Sequence, residues 1–156
     1  MKPLLLIKNE IMFNQKVLIG TLIIAIANFA LGFLWYEVLM GDFFRSMEVA
    51  NRAKPNFPAI IIGVLIFSYA FARLFQLVLN SDEPGMGQAI RYGLLVGLLT
   101  AVAYAFFQFG SMQIWSATHQ AVDAVFNTVV SIVMAIILLK YYGEEGDRGE
   151  KDKGET

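Results

Sequence analysis

His119, Asp123, Asn127 and Ser131 recur at four-residue spacing where the last long apolar run of the chain begins. On a helix this spacing puts all four on one stripe, because residues one turn apart face the same way. An imidazole and a carboxylate one turn apart can hold a metal ion, relay a proton or hydrogen-bond to neighbouring helices. One His and one Asp fall short of the three or four ligands of a metal site, which would need Glu37 or a second subunit to complete it. Interhelical hydrogen bonding is therefore the expected role, and no metal is assigned.

Two further groups of polar residues interrupt otherwise apolar sequence. Tyr69, Arg73 and Gln76 share a helical face, and Arg73 lies about 9 Å inside the end of its run, deep enough to require a partner or snorkelling. Asn28, Gly32 and Trp35 form a second stripe, continued by Tyr36 and Glu37. Asn28 falls near the middle of its run, where an amide needs a partner, and Tyr69 and Asn127 are the nearest choices in type and depth. Trp35, Glu37, Gln108, Trp115, His119 and Asp123 all fall toward one end of their runs. A polar, aromatic-lined pocket opening to that side follows, with Asn28, Tyr69, Arg73 and Asn127 deeper.

Catalytic signatures are missing. The chain has no Ser-His-Asp elbow, HExxH, P-loop or dinucleotide fingerprint, and no nucleophile accompanies the His119 and Asp123 pair. Cysteine is absent, which removes disulfides, thiol catalysis and thiolate metal sites. The expectation is a binding protein, not an enzyme, with no cofactor.

The elements that position these residues are four apolar runs, 17–38, 59–79, 89–109 and 121–139, each with a single charged residue. A membrane-spanning helix needs roughly 20 apolar residues, and all four runs are close to that. The chain has 156 residues, 57% hydrophobic and 16% charged, with a mean hydropathy of +0.59. That exceeds what a soluble helical bundle requires, so the fold class is an all-α integral membrane bundle of four helices in one domain, 1–142. The first run is too long for a signal-peptide core of about 7–15 residues, so it reads as an uncleaved span despite Ala25-Ile26-Ala27. A net charge of −1 offers no basic field for nucleic acid. The lipid bilayer is the expected partner, with a second copy or another membrane protein beside it.

Flanking segments complete the outline. Leu4, Ile7 and Ile11 give residues 1–16 the pattern of a short interfacial helix or an extension of the first span. Asp42 is placed to cap another short helix before Pro55 and Pro58. Residues 80–87 read as a turn, 110–118 as a tight uncharged connection, and the charged tail 143–156 as disordered and cytoplasmic. Lys and Arg concentrate on the side holding both termini: Lys2, Lys8, Lys16, Arg91, Lys140, Arg148, Lys151 and Lys153 against Arg45, Arg52 and Lys54. By the positive-inside rule that side is cytoplasmic. Tyr92, Tyr141 and Tyr142 then read as an inner aromatic belt, and Trp35, Tyr36 and Trp115 as an outer one.

The third run is built for close approach, since Ala89, Gly93, Gly97, Ala101 and Ala105 repeat every four residues. Such a stripe packs against another helix, within the bundle in the first instance and across a homodimer in the second.

The segments Gly32-Phe-Leu-Trp-Tyr-Glu-Val-Leu-Met-Gly-Asp-Phe-Phe44 and Ala121-Val-Asp-Ala-Val-Phe-Asn127, with the glycine-spaced third run between them, resemble a family of small bacterial four-span membrane proteins catalogued as a domain of unknown function. The resemblance implies a bacterial inner-membrane protein and brings no catalytic or ligand residues with it. Where that family's Asp-Ala segment is associated with a following His, this chain has Asn127, which argues further against a metal. A small transporter or channel subunit with a polar path along spans 1, 2 and 4 is the alternative to a binding protein.

Overall fold

The computed structural model describes residues 15–45, 56–78, 85–111 and 116–151. It is helical throughout, with no strand among the described residues. Helix α1 (Gln15–Phe33) runs into a π-helical stretch, Leu34–Leu39, and then a five-residue helix, α2 (Gly41–Arg45). Helix α3 covers Phe57–Val78. The third long helix is made of α4 (Met86–Gly97), a π-helical stretch at Leu98–Val102 and α5 (Ala103–Ser111). Helix α6 runs from Ala117 to Lys151.

Four helices are thus long and apolar enough to cross a membrane: Gln15–Leu39, Phe57–Val78, Met86–Gly110 and Ala117–Gly143. They match the four apolar runs to within four residues at every end and are called spans 1 to 4. Their outer surfaces are apolar as well, with Ile26, Leu99 and Phe106 exposed by 71%, 74% and 74%. A soluble bundle would turn such side chains inward, whereas lipid is as apolar as they are.

The final helix is drawn through to Lys151, into the segment 143–156 that composition marks as a solvated tail. Once span 4 has formed, each further residue adds one hydrogen bond without a new nucleus, and Glu, Lys and Arg are good helix formers. Other expectations lie outside the described residues: the N-terminal helix up to residue 14, the turn at 79–84, the connection at 112–115 with Trp115, and the continuation of the Asp42 helix beyond 45. Asp42 itself lies in the first turn of α2 rather than before it.

Spans 1 and 2 pack together, spans 3 and 4 pack together, and span 4 touches span 1 to join the pairs. The core lies toward the end of the bundle that holds the termini. Ile24, Phe71, Phe75, Tyr92, Met134 and Leu138 fill it. Tyr92 meets Phe71 and Phe75 edge-on, at ring separations of 5.1 and 5.2 Å, and donates its hydroxyl to the Phe71 carbonyl at 2.6 Å. It is a core residue, not the interfacial anchor its position suggested. A hydroxyl buried at this depth needs a partner, and the Phe71 carbonyl supplies it.

The small-residue stripe of span 3 faces span 4. A Cβ on Gly93 would stand 2.5 Å from the Ile132 Cα, and one on Gly97 2.7 Å from the Thr128 Cα. The two backbones touch there. Ala101 continues the stripe but lines a cavity instead, and contact with span 4 thins along the π-helical stretch Leu98–Val102 and α5.

Candidate functional site

Beyond Gly97, at the end of the bundle opposite the packed core, spans 3 and 4 line, with span 1, a cavity of about 330 Å³. Its polar lining comes from Asn28 of span 1, Thr100, Tyr104 and Gln108 of span 3, and Gln120, Asp123, Asn127 and Ser131 of span 4. Span 2 contributes only Phe67. Helical spacing accounts for the span 4 set, because residues 120, 123, 127, 131 and 134 follow one face.

Several of these groups are held within their own helices. Thr100 donates to the Val96 carbonyl at 2.8 Å and Ser131 to the Asn127 carbonyl at 2.9 Å. Such back-bonding satisfies a hydroxyl without a neighbouring helix. Asp123 is tied across the bundle instead. The Tyr36 hydroxyl donates to Asp123 Oδ1, and Asn127 Nδ2 donates to the Tyr36 oxygen at 3.2 Å and to the Asp123 carbonyl at 2.9 Å. Each member polarises the next, so the three side chains hold one geometry and fasten span 1 to span 4. Gln120 Nε2 is buried and has no hydrogen-bond partner among the described residues.

The π-helical stretch of span 1 makes this tie. Its wider turn, closed by the Met40 amide on the Trp35 carbonyl at 2.8 Å, lets two successive residues face span 4. Trp35 stacks on Phe126, with centroids 4.3 Å apart and planes 3° from parallel, while Tyr36 presents its edge to the same ring at 6.0 Å. Both aromatic residues pack inward rather than forming an outer belt.

Of the polar residues singled out by sequence, the cavity gathers Asn28, Gln108, Asp123, Asn127 and Ser131. His119 is on the same stripe but serves another purpose. Its Nδ1 meets the Ser116 hydroxyl at 2.6 Å, its Nε2 the Phe43 carbonyl at 3.2 Å, and its ring stacks on Phe43 at 4.1 Å. It fixes α2 to the start of span 4. Arg73 donates to Gln76 Oε1 at 3.1 Å along its own helix; neither it nor Tyr69, Trp35 or Glu37 lines the cavity. No cluster of three or more His, Asp or Glu suited to a metal occurs among the described residues.

Gln120, Thr100 and Tyr36 are the additions. Gln120 lies one residue after His119 and three before Asp123, a spacing that marks it as a stripe member. Thr100 is one residue from Ala101, and only the widened turn brings both to the cavity. The role of Tyr36 depends on the separate widening of span 1 at Leu34–Leu39, which no residue pattern announces.

Between residues 19 and 139 the sequence matches the family model described as protein of unknown function DUF1761, and the chain belongs to that family. No curated protein and no solved structure matches it.

Proposed function

We propose that this DUF1761 member is a four-span protein that binds a small polar solute, a cation or hydrogen-bond donor, in the cavity between spans 1, 3 and 4. One observation carries the reading: the cavity lining contains one carboxylate, Asp123, several amides and hydroxyls, and no Lys, Arg or His. A ligand bearing positive charge or N–H groups is matched there, and an anion is opposed. The volume lies at the lower end of small-molecule sites, roughly 300–1,000 Å³. Binding is favoured over catalysis because the lining offers Asp123 no second carboxylate and no His, Lys or Cys to complete an acid–base or nucleophilic pair. It is favoured over a through-path because Met134, where the span 4 lining ends, is itself buried in the packed core cluster. The same reading puts the protein in a bacterial inner membrane with both termini cytoplasmic, on the Lys and Arg asymmetry and the resemblance already given.

The test is binding to the protein in nanodiscs of ethylammonium and of size-matched propionate, with wild type and Asp123→Asn. Ethylammonium should bind, weaken at least about tenfold in the variant, and outcompete propionate. Equal binding of the two ions, or no effect of Asp123→Asn, refutes the proposal. Orientation is checked by placing single cysteines at positions 42 and 143 of this cysteine-free chain and labelling from each side.

A further inference from the structure

A second void lies against the first. On the bilayer-facing side of spans 3 and 4, an apolar groove of about 400 Å³ runs between Phe106 and Phe109 on one wall and Ala121, Ala124 and Val125 on the other. Phe106, Phe109 and Val125 are well exposed, so the groove opens where acyl chains would lie. Ala105 and Gln120 line both the groove and the polar cavity, so the two voids adjoin along one seam. At that seam Gln120, only 4% exposed, leaves its amide nitrogen without a partner among the described residues. An unpaired donor buried there is costly, and an acceptor on a ligand would match it.

Resting on the solute-binding reading above, we propose that the ligand is a single-chain amphiphile taken sideways from the bilayer. Its chain lies in the groove, and its headgroup reaches the cavity with a donor for Asp123 and an acceptor for Gln120. A groove bounded by two helices holds one chain. A fatty-acid anion is disfavoured, because neither void is lined by Lys, Arg or His.

The experiment compares 2-aminododecan-1-ol, 2-aminobutan-1-ol and dodecanoate on the full chain in nanodiscs, with affinities referred to free aqueous ligand after subtracting uptake by protein-free discs. If the chain passes from lipid to groove, it never returns to water, and each methylene retained in apolar surroundings is worth about fourfold. The long amino alcohol should then bind at least about 100-fold more tightly than the short one, and dodecanoate far more weakly than either. Ala121→Trp, an exposed substitution that fills the groove, should cut the long-to-short ratio at least tenfold. Equal affinity of the two amino alcohols, or a ratio untouched by Ala121→Trp, overturns lateral entry. If in that case the short compound still binds and weakens in Asp123→Asn, the solute site stands without the groove. Tight dodecanoate binding overturns the headgroup assignment, and no binding by either amino alcohol overturns both readings.

Discussion

Replacing Gly93 with alanine puts a number on the seam that holds spans 3 and 4 together. The added Cβ would meet the Ile132 Cα at 2.5 Å and the Ser131 carbonyl oxygen at 2.7 Å, while ordinary contact begins near 3.4 Å. Both obstacles are backbone, so no rotamer change relieves them and one helix must retreat by about 1 Å. A retreat of that size forfeits a quarter to a half of each dispersion contact along the seam. Overpacking of this kind costs about 1–3 kcal/mol, and alanine returns up to about 1 kcal/mol through its better helix propensity. The net expectation is a loss of about 1–2 kcal/mol. Gly97→Ala should lose somewhat less, because its nearest contacts are 2.7–3.0 Å rather than 2.5–2.8 Å and one of them, Thr128 Cγ2, can move by a rotamer change. Gly32 and Gly63 supply the internal contrast, since nothing lies within 4 Å of a Cβ at either position. Alanine there should stabilise by about 0.5–1 kcal/mol. Thermal or steric-trap unfolding of the four variants in one detergent reads these signs directly. Should Gly93→Ala unfold at or above the wild-type temperature, the seam is not the close backbone contact described, and the reasoning is refuted.

Tyr36→Phe removes the donor to Asp123 and the acceptor of Asn127 together, and should destabilise by about 1–3 kcal/mol. A double-mutant cycle with Asp123→Asn should return a coupling above about 0.5 kcal/mol; strict additivity would deny the tie. His119→Ala should lower stability by about 1–2 kcal/mol through the lost contacts to Ser116 and Phe43, with unfolding as the readout. Its effect on ethylammonium binding should stay under twofold, and a tenfold loss would put His119 back at the site. Tyr92→Phe keeps the ring cluster and loses only the bond to the Phe71 carbonyl, so a cost near 1 kcal/mol is expected, against about 3–5 kcal/mol for Tyr92→Ala, which also removes the ring.

How much of this was legible beforehand differs by level. The four spans follow from run length, because a bilayer demands roughly 20 apolar residues whatever the helices pack against. The polar stripe of span 4 and the glycine stripe of span 3 follow from the helical repeat. Arg73 is the counterexample: its depth demanded a partner, and Gln76 three residues along the same helix met that demand, so depth was no guide to the cavity. His119 shows the same limit, since it shares a stripe with Asp123 yet turns to the Phe43 carbonyl of α2.

The sequence by itself therefore determined the solvent, the number of spans and which residues share a helix face, because these depend on local composition and a fixed repeat. Only the tertiary structure decided which faces meet. It set Gly93 and Gly97 against span 4 and parted the helices beyond Gly97 to leave a cavity. It also widened span 1 at Leu34–Leu39, so that Tyr36 reaches Asp123. The physical reason is that pairing and π-turns are settled by contacts between residues far apart in the chain, and the helical repeat carries no information about those contacts.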